Sequence, residues 1–365
     1  MKITYNINDI DPVAWENLIQ SSPTATWFQT REAYNFFASL SFLEPFVVAV
    51  MGSLTPNPSP SGEGSRMQLP PQVTTPLSSR RGAGGEATLK GLIVGYIQKN
   101  GGKLKQYFSR RAIITGGPLL TNDIKDEELS TLLNATIKHL RKKAIYIETR
   151  NLNDYSLWRK TFEDNGFKYE PHLNFHVNTE SVEGAQSNIG KHRWKYIRIS
   201  LRDGANLVEN PSLEQIKKFY TILQELYRTK VKMPLFPFEF FEKLTSINSA
   251  HFLLVEHEGE IIGGSLCVCL KGRTVYEWVK CGDEHYLKNI RPSSVATWLG
   301  IKYSAENGCP RYDFMGAGKP NEPYGVRNFK AEFGGKLVEH GRYLHVCKPL
   351  LYNMGKLAVK ILKKL

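Results

Sequence analysis

Two α/β domains in tandem, each a mixed sheet flanked by helices, are what this sequence predicts. Three observations lead there. A chain of 365 residues outgrows a single ordinary core. Its 41% hydrophobic and 23% charged residues are the balance of a folded soluble protein. Above all, the order of elements recurs: each half reads helix, helix, several strands, helix, strand, although no stretch of sequence is duplicated.

The elements follow in order along the chain. Asp11 to Leu40 is helical in pattern, with a break at Ser22-Pro23. Pro45–Met51 and Leu89–Ile97 are rich in β-branched residues and read as strands. Residues 52–88 between them are about a third glycine plus proline and carry no hydrophobic period. This segment is expected to be a disordered insertion at a hairpin tip, where added length costs little. Tyr107–Ile114 is another strand. Leu129, Leu132, Leu133, Ile137 and Leu140 share one face of a helix over Lys125–Lys143. Ala144–Thr149 is a strand, Tyr155–Asn165 a helix closed by Gly166, and Phe167–Val177 is extended. The polar, turn-rich run from Asn178 to Gly190 puts the domain boundary there, giving units 1–178 and 179–365.

The second round has helices over Leu213–Arg228 and Phe238–Leu244. A hairpin of His251–His257 and Glu260–Leu270 turns at Glu258-Gly259, and Thr274–Cys281 is a strand. Ser293–Asn307 is a helix stopped by Gly308, and Arg311–Phe314 is the last strand. At the C-terminus Leu350, Leu351, Met354, Leu357, Ala358, Ile361 and Leu362 make one apolar stripe of a helix whose other face is lysine-rich. Such a helix packs on the body of the protein or lies on an anionic membrane. No segment has the heptad length of a coiled-coil arm.

Composition narrows the function. No apolar run approaches the roughly 20 residues that cross a bilayer. The N-terminus, MKITYNINDIDPVAWENL, does not have the form of a signal peptide, so a cytoplasmic location is expected. The 5 cysteines lack zinc-site spacing, and no metal is expected. A net charge of +13 favours phosphate-rich partners: RNA, nucleotide-linked sugars or anionic lipid. The charge is clustered, as in Lys191, His192, Arg193, Lys195, Arg198 and Arg202. The sequence contains no G-x-S-x-G, H-E-x-x-H or Walker A pattern.

The most informative block is Tyr312–Gly335, YDFMGAGKPNEPYGVRNFKAEFGG. A short strand runs into the turn Gly316-Ala317-Gly318. Phe329 and Phe333 then fall on one face of a helical turn with Lys330 pointing elsewhere. A strand ending in a tight turn beside a cation can hold an anionic or carbonyl-bearing ligand.

YDF-x-G followed by FK-x-x-FGG resembles the C-terminal signature of the FemAB family of peptidoglycan bridge-forming aminoacyl transferases, within the N-acetyltransferase-like (GNAT) superfamily. Trp27-Phe28-Gln29-Thr30 is similar to that family's FQ segment, and His192-Arg193-Trp194-Lys195-Tyr196-Ile197-Arg198 to its basic RR-x-IR stretch. The likeness covers most of the chain outside residues 52–88. It implies two GNAT-like domains and an enzyme that moves an aminoacyl group from aminoacyl-tRNA to an amine of a UDP-linked or lipid-linked muropeptide precursor. No cofactor is then expected, and no DNA partner.

The same resemblance implies a site. Lys330, helped by the Phe329 or Lys330 backbone N–H, would face the tetrahedral oxyanion. Asp313 would serve as a base or orient a tyrosine, and in the family the strand Asp is structural. Arg31, Arg193 and Arg198 would meet the acceptor's diphosphate, with Gln29 beside them; apart from the resemblance, Arg228 in the basic run YRTKVKMP could line the same channel. Tyr276, Tyr312, Gly316 and Phe333 would line the cleft. The sequence departs from the family in lacking a tryptophan a few residues after Gln29. It also lacks the Q/R-x-x-G-x-G/A loop of coenzyme-A-dependent relatives; the nearest place for a pyrophosphate is the start of the Ser293 helix. Two alternatives stay open: an acyl-CoA-dependent N-acyltransferase acting on an amino sugar or lipid in envelope or polysaccharide synthesis, and a non-catalytic basic scaffold for RNA or anionic membrane.

Overall fold

The computed structural model describes residues 1–52, 88–99, 109–208, 210–232 and 234–362. The expected insertion, apart from its end residues Gly52 and Thr88, and the first part of the Tyr107–Ile114 strand lie outside these residues. The strands in chain order are β1 (Lys2–Thr4), β2 (Leu43–Met51), β3 (Leu89–Gln98), β4 (Arg111–Gly116), β5 (Leu119–Leu120), β6 (Tyr146–Asn151), β7 (Lys168–Glu170), β8 (Leu173–Asn178), β9 (Asn206–Val208), β10 (Ala250–His257), β11 (Glu260–Leu270), β12 (Thr274–Gly282), β13 (Arg311–Asp313), β14 (Lys336–Glu339) and β15 (Arg342–Val346).

They form two mixed sheets. The first runs β1-β2-β3-β4-β6-β15-β7, with β5 also on β3; the second runs β14-β8-β13-β12-β11-β10-β9. Each has one parallel pair, β4 with β6 and β12 with β13, among antiparallel neighbours. The expected helices are present, at Asp126–Leu140, Leu213–Leu226, Phe238–Leu244 and Pro292–Glu306 among others.

The two sheets are not built from consecutive halves of the chain. β8 lies before residue 179 yet pairs with β13 and β14 of the second sheet. β15 is near the C-terminus yet fills the gap between β6 and β7 of the first. The expected cut after residue 178 therefore does not separate the sheets. The run Phe167–Val177, read as one extended piece, is two strands in different sheets. Local pattern marks a segment as a strand; only the free edge it meets decides which sheet it joins.

Trp27 and Phe28 stand at the seam between the sheets. The Trp278 ring of β12 lies 5.9 Å from Trp27, 5.0 Å from Phe28 and 4.9 Å from Phe240. Each such aromatic pair adds about 1 kcal/mol beyond area burial. The seam fixes the mutual position of the sheets, and so the walls of the cleft described below.

The segment Lys191–Arg202, read from sequence only as a basic stretch, is a helix. The C-terminal helix Pro349–Leu362 leaves Leu350, Met354 and Leu357 exposed, at 81%, 59% and 61%. Tyr352 on another face meets Tyr146, with ring centroids 5.5 Å apart. One edge of the helix is thus docked, while Leu350, Met354 and Leu357 are not. Among the described residues no helix is long and apolar enough to cross a membrane.

Candidate active site

The site forms where β13 ends. Asp313 is fully buried and accepts hydrogen bonds from Asn174 Nδ2 at 2.7 Å and from the Met315 backbone N–H at 2.6 Å, with His176 Nε2 3.0 Å from its second oxygen. Burial alone would raise the Asp313 carboxyl, but the bonds from His176 and Asn174 outweigh it and the net shift is downward. These bonds fold the chain sharply: Met315 has φ 56° and Gly316 φ 133°, a region that suits glycine.

Into this turn reaches Lys330, from the helix Gly325–Ala331. Its Nζ donates to the carbonyl oxygens of Phe314 at 2.8 Å and Gly316 at 2.7 Å, and the residue is only 9% exposed. Burial lowers its pKa, against the pull of Glu277 and Asp313. An ammonium has three donors, so two carbonyls leave one N–H. Phe333 packs behind, buried, 5.2 Å from Phe329 and 6.1 Å from Phe314. Gly334, at φ 77°, sits where a Cβ would come within 2.2 Å of the Asn188 carbonyl oxygen, which explains the glycine after Phe333.

Two cations flank Phe329. Lys280 Nζ is 3.6 Å from its ring centroid and Arg193 Cζ is 4.6 Å away. Arg193 pairs with Glu332 at 3.1 Å and donates to Ser294 Oγ at 2.7 Å, in the first turn of the helix Pro292–Glu306. Burial pushes the Lys280 amine down to about 8; Lys330 and Arg193 push the same way and Glu277 opposes them. Glu277, itself buried, accepts from Tyr312 Oη at 2.7 Å.

Sequence reading missed both Lys280 and Glu277. The signal was there: a carboxylate and an amine three residues apart inside the otherwise apolar strand TVYEWVKCG. Charges in a buried strand need partners or work to do.

In front of the Gly316 turn lies a cleft of about 260 Å3 between the sheets. Its walls include Trp278, Phe236, Met315 and Gly316 on one side and Arg111, Arg150 and Arg342 on the other.

The structure brings together Lys330, Phe329, Phe333, Gly316, Asp313, Tyr312 and Arg193. It corrects the roles of several. Asp313 is fully buried, with one oxygen bonded by Asn174 and its own turn and His176 beside the other, so it braces the backbone and is not placed to accept a substrate proton. Tyr312 and Tyr276 are fully buried, Tyr276 in the seam 5.6 Å from Phe28, and neither lines the cleft.

Gln29 is also fully buried. Its Oε1 accepts from Thr26 N at 2.7 Å and its Nε2 donates to Gly117 O at 2.8 Å, so it ties the Trp27–Gln29 turn to the end of β4 and touches no cleft. Arg31 donates to the Ile10 carbonyl at 3.2 Å and lies 5.3 Å from the Trp15 ring, holding the N-terminal segment. Arg198 is on the exposed face of its helix. Arg228 pairs with Glu225 at 2.6 Å in a shallow surface hollow. Arg193 is well placed, but at the Phe329 ring and not in the cleft with the other arginines.

Comparison with known proteins agrees with this fold. The model of the acetyltransferase (GNAT) domain matches residues 191–330. The solved structure of FemX superimposes with a TM-score of 0.67 at 14% identity, over 97% of this chain and 99% of that one. A tandem GNAT protein from the clavulanic acid biosynthesis pathway gives 0.50 at 8% identity, over 95% and 98%. No curated protein matches the sequence. Residues 191–330 thus match a GNAT domain, and the whole chain shares the tandem fold of these structures.

Proposed function

We propose that the chain transfers an aminoacyl group from aminoacyl-tRNA to an amine of a peptidoglycan precursor. The observation that carries this reading is Lys330, buried and held by two carbonyl oxygens, one of them that of Gly316 in the cleft wall. An aminoacyl ester is already activated, so transfer needs orientation and oxyanion stabilisation more than covalent help. The acceptor amine would attack the ester carbonyl, with the remaining Lys330 N–H and its positive charge facing the oxyanion. The bond to the ribose oxygen then breaks, and the proton lost by the amine ends on that oxygen. The likeness to FemX supports the envelope setting.

The donor is argued from the helix Pro292–Glu306. Its first turn would be the natural place for a CoA pyrophosphate. That turn is covered by the chain itself: Arg193 bonds to Ser294, and Gly282 lies so near that a Cβ on it would be 2.5 Å from Ser293 N. This favours aminoacyl-tRNA over an acyl thioester. We propose further that the C-terminal helix rests on an anionic membrane: Leu350, Met354 and Leu357 are exposed, and the segment after Glu339 has lysines but no acid.

The test is a donor screen with a muropeptide precursor as acceptor, read by mass spectrometry. A gain of one amino-acid residue that depends on charged tRNA is expected. A gain with acyl-CoA alone would replace this reading with the thioester one.

A further inference from the structure

The proposed reaction leaves the far wall of the cleft unused, and that wall is unusually cationic. Alternation along β4, β6 and β15 puts Arg111, Glu148, Arg150 and Arg342 on one face of the first sheet. Arg150 and Arg342 are register partners on adjacent strands. Glu148 joins them: Arg150 donates to it through Nε at 3.2 Å and Nη2 at 3.1 Å, and Arg342 through Nη1 at 2.7 Å. Burial would raise the Glu148 carboxyl, yet the two guanidiniums hold it at about 2, so it is ionised at any working pH. Arg111 is oriented separately by Gln98, through Nε at 2.8 Å.

Two guanidiniums thus hold Glu148 and Arg111 lines the same cleft, with Glu170 across the strand pair from Arg342, and positive charge is in excess. No carboxylate lines the cleft among the described residues. The arginines are not sealed in: their side chains keep 35% and 27% of their surface, for Arg150 and Arg342.

This cluster adjoins the transfer site. Arg342 Nη2 is 3.1 Å from His172 Nε2. Burial and the Arg342 charge push the His172 ring down to about 4, so it is neutral and accepts that bond. A Cβ on Gly316 would lie 3.3 Å from the same ring nitrogen. Gly316 carries the carbonyl that Lys330 holds. Arg342, His172 and Gly316 therefore form a row along the cleft, and Lys330 stands behind its Gly316 end. A carboxylate held by Arg342 and Arg150 would lie at the other end of this row from an acceptor amine at the Gly316 turn.

We infer that Arg150 and Arg342, braced by Glu148, form a carboxylate site that selects an acceptor whose reacting amine is borne on the same carbon as a carboxylate or a neighbouring one. The inference rests on the proposed transfer reaction for the position of the amine, but not for the binding itself. A planar carboxylate matches guanidinium donors pinned in fixed orientations. A cleft of about 260 Å3 suits an amino-acid-sized group more than a nucleotide.

The experiment uses the full chain without donor, by thermal shift and calorimetry. The probes are meso-diaminopimelate, which bears an amine and a carboxylate on the same carbon, Nα-acetyl-lysine methylamide and cadaverine, which have a bare terminal amine, and inorganic phosphate. Diaminopimelate is expected to stabilise and the bare amines not. Arg342→Gln and Arg150→Gln are each expected to weaken it about tenfold, the size of one charge-assisted hydrogen bond. Stabilisation by phosphate without diaminopimelate, or equal stabilisation by the bare amines, overturns the inference. Should the variants not fold, the comparison of probes on the native chain still decides. Diaminopimelate binding without transfer in the donor screen would sink the proposed reaction and leave the site. Transfer with no preference for a carboxylate-bearing amine would do the reverse.

Discussion

Lys330 and Gly316 are joined by a 2.7 Å hydrogen bond from the lysine Nζ to the glycine carbonyl oxygen, across 14 residues of sequence. Through it the FK motif fixes the shape of the turn that ends β13, and the turn in exchange orients the lysine. Lys330→Met should therefore do two things. Leaving the Phe314 and Gly316 carbonyls without a donor should destabilise the fold by about 1–3 kcal/mol. Loss of the oxyanion partner should reduce transfer by about 100-fold or more, measured on the folded fraction. Turnover above a tenth of the native value would confine Lys330 to bracing.

Lys280 gives a prediction in pH. Its amine is lowered in the folded state to about 8 from 10.5. Below pH 8 folded and unfolded chains both hold the proton. Between about 8 and 10.5 the unfolded chain holds more, so this group makes stability rise with pH across that window and burdens the fold below it. Lys280→Met is expected to raise Tm at pH 7 and to flatten the pH dependence between 8 and 10.5. An unchanged slope would mean that Lys280 titrates normally.

Gln29 was expected to touch substrate and is instead a buried tie between the Trp27–Gln29 turn and the Gly116-Gly117 carbonyls. Gln29→Leu should cost about 3 kcal/mol in denaturant unfolding, from several stranded backbone groups. The kcat of the folded fraction should not change. A fall in kcat with native stability would restore the ligand role.

The C-terminal helix predicts binding to vesicles. Cosedimentation should occur with vesicles rich in anionic phospholipid, weaken with salt, and fall with zwitterionic ones. Met354→Glu, in the exposed stripe, should abolish it without loss of stability. Binding that ignores this substitution would exclude the helix as the anchor.

Much of the fold was written locally. The heptad-like leucines of Asp126–Leu140, the Glu258-Gly259 hairpin and the Gly308 stop are all short-range signals, and each element appeared where its pattern placed it. Phe329, Lys330 and Gly316 were also legible, because a motif within one stretch of chain carries its own spacing. Arg31 and Gln29 were misplaced because proximity to a motif does not say which way a side chain points. Glu277 and Lys280 were overlooked because their strand reads as plain core until its neighbours are known.

What the sequence determined alone is therefore the order of elements, their amphipathic faces and the residues of one compact signature, all set by interactions over a few residues. What only the tertiary structure decided is which strand enters which sheet and what gathers around the cleft. β8 and β15 cross to the other sheet, and that crossing brings Arg342 beside Arg150 and Asn174 beside Asp313. Strand pairing is satisfied by any free edge of suitable register. Its outcome depends on the packed whole, and the composition of the site follows from it.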